Sequence, residues 1–164
     1  WQTFDRTGRF IAGLRPETAR LLMTDDATEM SVHRDPTSDR WLAVYAESVP
    51  DGDAARPDPV WWRSASRLEG PWSPRQVLFE IPETKPGTDP NLFCYAAKAH
   101  PQLARPGRLL VTYVCNLFAR SEAETLAVLQ RLTESPSLYR ARAVSVPVPG
   151  PSSSFSSRGA SESD

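Results

Sequence analysis

The residues best suited to chemistry are few, and they fall on stretches with the patterning of β-strands. Glu29, Ser31 and His33 alternate with Met30 and Val32, so one strand face is polar and the other apolar. A polar face of that kind turns to a channel or to solvent. A glutamate on it is either an ordinary surface residue or, where burial raises its pKa, a proton donor. In strict alternation Lys98 and His100 share a face with Cys94 and Ala96. His100 is then either a strand-end histidine bonded to its neighbours or a site residue. The chain holds two histidines; zinc needs roughly three or four ligands, so a histidine metal centre is not expected.

The cysteines offer a second kind of chemistry. If 93–100 and 109–116 form a hairpin with His100 opposite Leu109, Cys94 falls opposite Cys115 on one face. The pair is then either a cross-strand disulfide, which fits an oxidising compartment, or two buried thiols brought together by strand pairing alone. No dedicated base stands beside either one, so a cysteine nucleophile is not expected. Trp61 and Trp62 send one ring to each face of a strand. One serves as core, and Trp61 is a candidate stacking platform for the apolar side of a sugar ring. Asn116 and Arg142, polar residues beside apolar strands, are candidates for hydroxyl contacts or for structural roles. Glycine-rich nucleotide loops, a Gly-x-Ser-x-Gly elbow and a His-Glu-x-x-His helix are all absent from the sequence.

Short strands must position these residues. Sixteen prolines against eight glycines, with five tryptophans, suit strands joined by stiff loops rather than helices. Residues 1–27 are poorly patterned, with apolar pieces at 9–14 and 19–23. Strands are expected at 28–34, 41–46, 60–66 and 77–81. Asp35-Pro36-Thr37-Ser38-Asp39 closes the first hairpin, a polar loop runs from 49 to 59, and Glu69-Gly70-Pro71-Trp72 makes a tight turn. Four antiparallel strands of this length make one propeller blade. The pattern restarts with strands at 93–100 and 109–116. A helix follows over 121–134, with Ser121 and Glu124 as a capping box and a Leu126/Leu129/Leu132 stripe facing the sheet. A last strand spans 139–148. The fold expected is mainly β: a partial β-propeller over 1–149, with about two four-stranded blades at 28–83 and 93–148 and one inserted helix. A disordered Ser-rich tail covers 150–164. The chain opens at Trp1 inside a pattern, which reads as the C-terminal portion of a larger protein.

A net charge of −1 with interspersed signs gives no electrostatic case for nucleic acid, and no apolar run is long enough to span a bilayer. No signal peptide is visible in the chain.

Three stretches carry a resemblance: Thr28–His33 with Arg40–Tyr45; Ser64-Ala65-Ser66 running to Gly70-Pro71-Trp72-Ser73; and Tyr95–Pro101 with Leu109–Asn116. Over about residues 25–148 they resemble uncharacterised secreted microbial domains of the DUF4185 type, similar in pattern to five-bladed propellers of glycoside hydrolase families 43 and 32. The resemblance implies a carbohydrate partner, an extracellular or periplasmic location and a channel-mouth site. Glu29 would be its general acid, and His33, Trp61, Tyr95, Lys98, His100, Asn116 and Arg142 would bind substrate. No cofactor is implied beyond a calcium ion or water near His100. Glycoside hydrolysis uses two carboxylates, and the resemblance places the partner of Glu29 in earlier blades. The chain alone is therefore expected to be inactive. The alternatives are a non-catalytic propeller that binds carbohydrate or cell surfaces, and an inactive truncated fragment.

Overall fold

The computed structural model describes residues 2–25, 27, 29–47 and 57–150. The expected tail beyond 150, most of the 49–59 loop and Thr28 therefore lie outside the described residues. Among the described residues nine strands form three antiparallel sheets, with one α-helix.

An N-terminal hairpin pairs β1 (Gln2–Phe4) with β2 (Phe10–Ala12), where sequence patterning gave only loose apolar pieces. Its turn is built on Asp5, whose Oδ1 accepts from the Thr7 and Arg9 amides, each at 2.9 Å. The backbone bond from Arg9 and the Thr7 hydroxyl hold this carboxyl below the usual carboxylate range.

The first main sheet is a four-stranded meander: β3 (Met30–Asp35), β4 (Arg40–Ala46), β5 (Pro59–Ala65) and β6 (Gln76–Glu80). Asp35 closes the β3–β4 turn by accepting the Ser38 amide at 2.8 Å and its hydroxyl at 2.6 Å. The second sheet contains β7 (Leu92–Ala99), β8 (Arg108–Leu117) and β9 (Ala141–Pro147), in that order. Its three strands fall at the expected stretches 93–100, 109–116 and 139–148, and the expected helix, α1 (Glu122–Glu134), stands between β8 and β9, so this sheet lacks the fourth strand of a complete blade.

The core lies between the two sheets. Leu42, Val44, Ala46, Val60 and Trp62 from the first face Cys94, Ala97, Leu109, Val111 and Tyr113 from the second. Register decides which side chains take part. Ser31 pairs with Val44 and His33 with Leu42, so the polar face of β3 turns inward and the apolar Met30 and Val32 stay partly exposed. The expectation of a channel or solvent face for Ser31 and His33 is thus corrected. Ser31 is tolerated there because its hydroxyl accepts the Ala99 amide across the sheets at 2.7 Å.

A bulge in β7 re-aims its second half. Tyr95 pairs with Val114, but Lys98 pairs with Thr112, one residue out of step. Cys94, Ala97 and Ala99 all reach the core as a result, and Lys98 does not share a face with Cys94. His100 meets Leu110 through a 2.8 Å amide bond, so its expected position opposite Leu109 is off by one. The extra residue is absorbed at Ala96, whose φ of 57° lies in the left-handed region. An alanine there costs about 1–2 kcal/mol. Ala96→Gly should therefore raise stability by about 1 kcal/mol, read as a higher urea midpoint with an unchanged slope.

The helix departs from expectation on two points. Val128 is its buried residue, flanked by half-buried Glu124 and Leu132, whereas Leu126 and Leu129 are exposed. The inward stripe runs at i, i+4, i+8 and keeps only Leu132 of the three expected leucines. Nor does Ser121 cap the helix with its side chain. Glu124 reaches back past the cap to accept the Arg120 amide at 2.9 Å, so the expected reciprocal box is replaced by a single bond to the residue before Ser121. Arg131 to Asp89 at 2.5 Å and Arg120 to the Pro90 carbonyl at 2.6 Å hold the helix to the segment before β7. No helix among the described residues is long and apolar enough to cross a membrane.

Candidate functional site

The outward face of β7 carries Phe93 and Tyr95, two residues apart and therefore on one side of the strand. Their rings stack at 5.3 Å with 16° between planes, and Phe118 meets Phe93 edge-on at 6.2 Å. Phe118 is 61% exposed and Tyr139, from the turn before β9, is 57% exposed. The Tyr95 hydroxyl donates to that of Tyr139 at 3.4 Å. Asn116, opposite Phe93 in the β7–β8 register, brings its amide beside Tyr95, and its Oδ1 accepts the Leu117 amide at 2.8 Å. Glu29, half-buried just ahead of β3, sits close enough for its charge to act on Tyr95. The Tyr139 bond and burial raise the Tyr95 pKa, Glu29 adds to the rise, and Asn116 opposes it. Tyr95 is therefore a neutral hydroxyl that donates and accepts at ordinary pH.

Glu29, Tyr95 and Asn116 are thus brought together, and the other candidates are not. His33 lies between the sheets, and both ring nitrogens are buried without a hydrogen-bond partner among the described residues. Burial lowers its pKa, against a smaller upward pull from Asp35. Protonation is then more favourable in the unfolded chain, so the stability from neutral His33 is lost as pH falls below about 6.5 towards the lowered folded value. Wild-type protein should have a lower urea midpoint at pH 5 than at pH 7.5. Most of that difference should vanish in His33→Phe.

His100 Nε2 lies 2.7 Å from the Thr112 hydroxyl, and Arg142 Nε lies 2.8 Å from Glu83, which also accepts from Tyr113 at 2.8 Å. Both side chains secure the second sheet rather than the aromatic face. Lys98 is exposed. Among the described residues no group of three or more His, Cys, Asp or Glu side chains is gathered to hold a metal ion. Cys94 and Cys115 are joined in a disulfide with their Cα atoms 4.0 Å apart.

Trp61 occupies a different place, on the outward face of the first sheet. The Arg75 guanidinium lies over its ring at 4.2 Å and pairs with Glu47. A neighbouring cluster centres on Arg63. Its Nη2 donates to Asp25 Oδ1 at 2.9 Å, Nε lies 2.8 Å from Asp25 Oδ2, and Nη1 donates to the Ser73 carbonyl at 2.7 Å. Nε also donates to the Tyr45 hydroxyl at 3.0 Å. Burial alone would raise the Asp25 carboxyl, but Arg63, Tyr45 and Arg75 outweigh it and hold the pKa low. Tyr45 is pushed up to about 12, chiefly by burial.

Sequence reasoning missed Phe93, Phe118 and Tyr139 as neighbours of Tyr95. The i, i+2 spacing of Phe93 and Tyr95 was the available signal; Tyr139 is placed by folding alone.

Residues 20–146 match the family described as a domain of unknown function, DUF5005. The chain belongs to that family. Neither a curated protein nor a solved structure matches it. The resemblance to DUF4185-type domains and propeller glycoside hydrolases is corrected by this match, and roles drawn from those hydrolases no longer carry over. The DUF5005 match spans the first main sheet, α1 and the second sheet almost to the end of β9. It includes Glu29, Tyr95 and Asn116 and leaves the N-terminal hairpin outside.

Proposed function

We propose that this domain binds carbohydrate on the outward face of β7, and that its two main sheets are blades of a β-propeller. The stacked Phe93–Tyr95 pair, with hydroxyl, amide and carboxylate groups at its edge, carries the reading. Exposed aromatic faces suit the C–H side of a pyranose, while the polar rim suits its hydroxyls. The blade assignment is supported by two meanders in chain order whose first strands, β3 and β7, touch each other. The disulfide supports an oxidising setting, extracellular or periplasmic.

A glycan array followed by calorimetry tests the binding. Tyr95→Ala should weaken the best glycan by about tenfold or more, whereas Lys98→Ala, off the aromatic patch, should leave it within about twofold. Equal affinity for wild type and Tyr95→Ala would remove the site. Glu29→Gln should weaken binding through its hydroxyl contacts.

A further inference from the structure

The inward face of β3 carries Ser31 and His33, two residues apart, and β3 touches β7 of the other sheet. Ser31 bridges the two sheets: its hydroxyl accepts the Ala99 amide at 2.7 Å and donates to the Val44 carbonyl at 3.4 Å. Beside that bridge both ring nitrogens of His33 are buried, and neither has a hydrogen-bond partner among the described residues. On β3 itself Asp35 is the charge that acts on the ring, and its carboxylate is already bonded to the Ser38 amide and hydroxyl. On β4 the opposite residue is Leu42, with Val44 and Arg40 on its diagonals and Arg40 paired with Asp35. On β7, Ala97 and Ala99 are buried, Lys98 is exposed, and the His100 ring is bonded to Thr112.

We infer that His33 is an acid-sensitive latch on the contact between β3 and β7: once charged, it parts the two strands while each sheet stays folded. An imidazolium brings two donors and a charge into a place that supplies no acceptor. The shortest relief is to carry the ring to water. β3 can give, because it is the first strand of its sheet and bonds to β4 alone. Its face towards β7 is polar, whereas Leu42, Val44 and Ala46 of β4 share one core with Cys94 and Ala97 of β7. A polar contact at a sheet edge opens locally before a packed core does. Glu29, just ahead of β3, moves with that strand, so opening separates it from Tyr95 at the edge of the aromatic face. Opening should be rare above about 6.5, the value of the free side chain, and should grow as pH falls below it.

Amide exchange at two adjacent residues reads the latch directly. The Ala99 amide bonds across to Ser31, whereas the His100 amide bonds within the second sheet to the Leu110 carbonyl at 2.8 Å. The wild-type protein is compared at pH 7.5 and pH 5 by NMR, with rates corrected for the intrinsic effect of pH. Protection at Ala99 should fall by at least about fivefold, under a ceiling of about thirtyfold set by the free histidine value. Protection at His100 should change by less than about twofold. His33→Phe should keep Ala99 protected at both pH values, and His33→Leu serves the same purpose if phenylalanine is not accommodated. Equal losses at Ala99 and His100 would mean that acid loosens the whole fold, and would overturn the proposal. So would an unchanged Ala99, or an Ala99 loss that persists without His33. The two wild-type amides test the latch even if neither variant folds.

Discussion

Replacing Arg63 by methionine should destabilise the protein by about 3–5 kcal/mol, the largest loss expected from any single polar substitution here. The reason is the group left behind. Asp25 is 6% exposed, and it owes its ionised state to Arg63. Methionine keeps much of the arginine stem's volume but supplies no charge and no donor. The carboxylate must then stay buried with only the Arg75 guanidinium, 3.7 Å away, to offset it, take up a proton, or pull its segment away from the sheet. The Ser73 carbonyl and Tyr45 hydroxyl lose a donor at the same time. Asp25→Asn combined with Arg63→Met removes the stranded charge, so the double variant should recover more than half of the loss. A cycle of four urea titrations measures this, and additive losses would show that the pair does not act as a unit. The pair also sets a pH dependence of known sign. The Asp25 pKa is lowered on folding, so its contribution is complete above about 3.9, the unfolded value. It is lost as pH falls from there through the lowered folded value. Acid unfolding of Asp25→Asn should therefore lose slope in that range relative to wild type.

Much of the architecture was legible because period and turn chemistry agreed. The 41–46 stretch reads as a strand and forms one, since Leu42, Val44 and Ala46 alternate onto the core face between a closed turn and a polar loop. The mainly β class and the single helix follow from the same reading. Its failures have physical causes. Strict alternation cannot show the bulge in β7, because the left-handed position falls on Ala96 and not on a glycine that would mark it. Past that point every inference about Lys98 and His100 is displaced by one residue. The helix stripe failed for a different reason. Three leucines at helical spacing satisfy the pattern, yet the surface the helix meets accepts Val128 and leaves Leu126 and Leu129 outside. Ser31 and His33 show the limit of polarity as a guide to burial: pairing with Val44 and Leu42 carries them inward regardless. Of the candidate site, Glu29, Tyr95 and Asn116 were readable as polar or aromatic groups on strands. The nearness of Tyr95 and Asn116 follows from the hairpin register that the cysteines mark; the approach of Glu29 was not readable, because it depends on β3 meeting β7, a contact that no local pattern encodes.

The disulfide gives the second large effect. Removing it through Cys94→Ala with Cys115→Ala should cost about 3 kcal/mol and lower the melting temperature by about 10 °C. The bond closes a segment of 21 residues, and its chief effect is to restrict the unfolded chain. It joins directly paired residues of β7 and β8, so it also fixes register on the side of the bulge where Tyr95 lies. Register there has a second guarantee, however. A slip of β7 by one residue would bury Tyr95 and expose Leu92 and the Cys94 position, at the expense of the core contacts these make with Leu109, Val111 and Tyr113. The double variant should therefore be less stable yet keep the stacked Phe93–Tyr95 face and, on the proposed carbohydrate-binding reading, the wild-type affinity for glycan well below its melting temperature. Both sulfurs are buried, so reductant should act slowly on the folded protein and faster in urea. Differential scanning fluorimetry with glycan titration at 10–20 °C below the midpoint, in the spirit of the shift expected above, separates stability from binding. Loss of both together would mean that the covalent link, and not the burial pattern, holds Tyr95 in place.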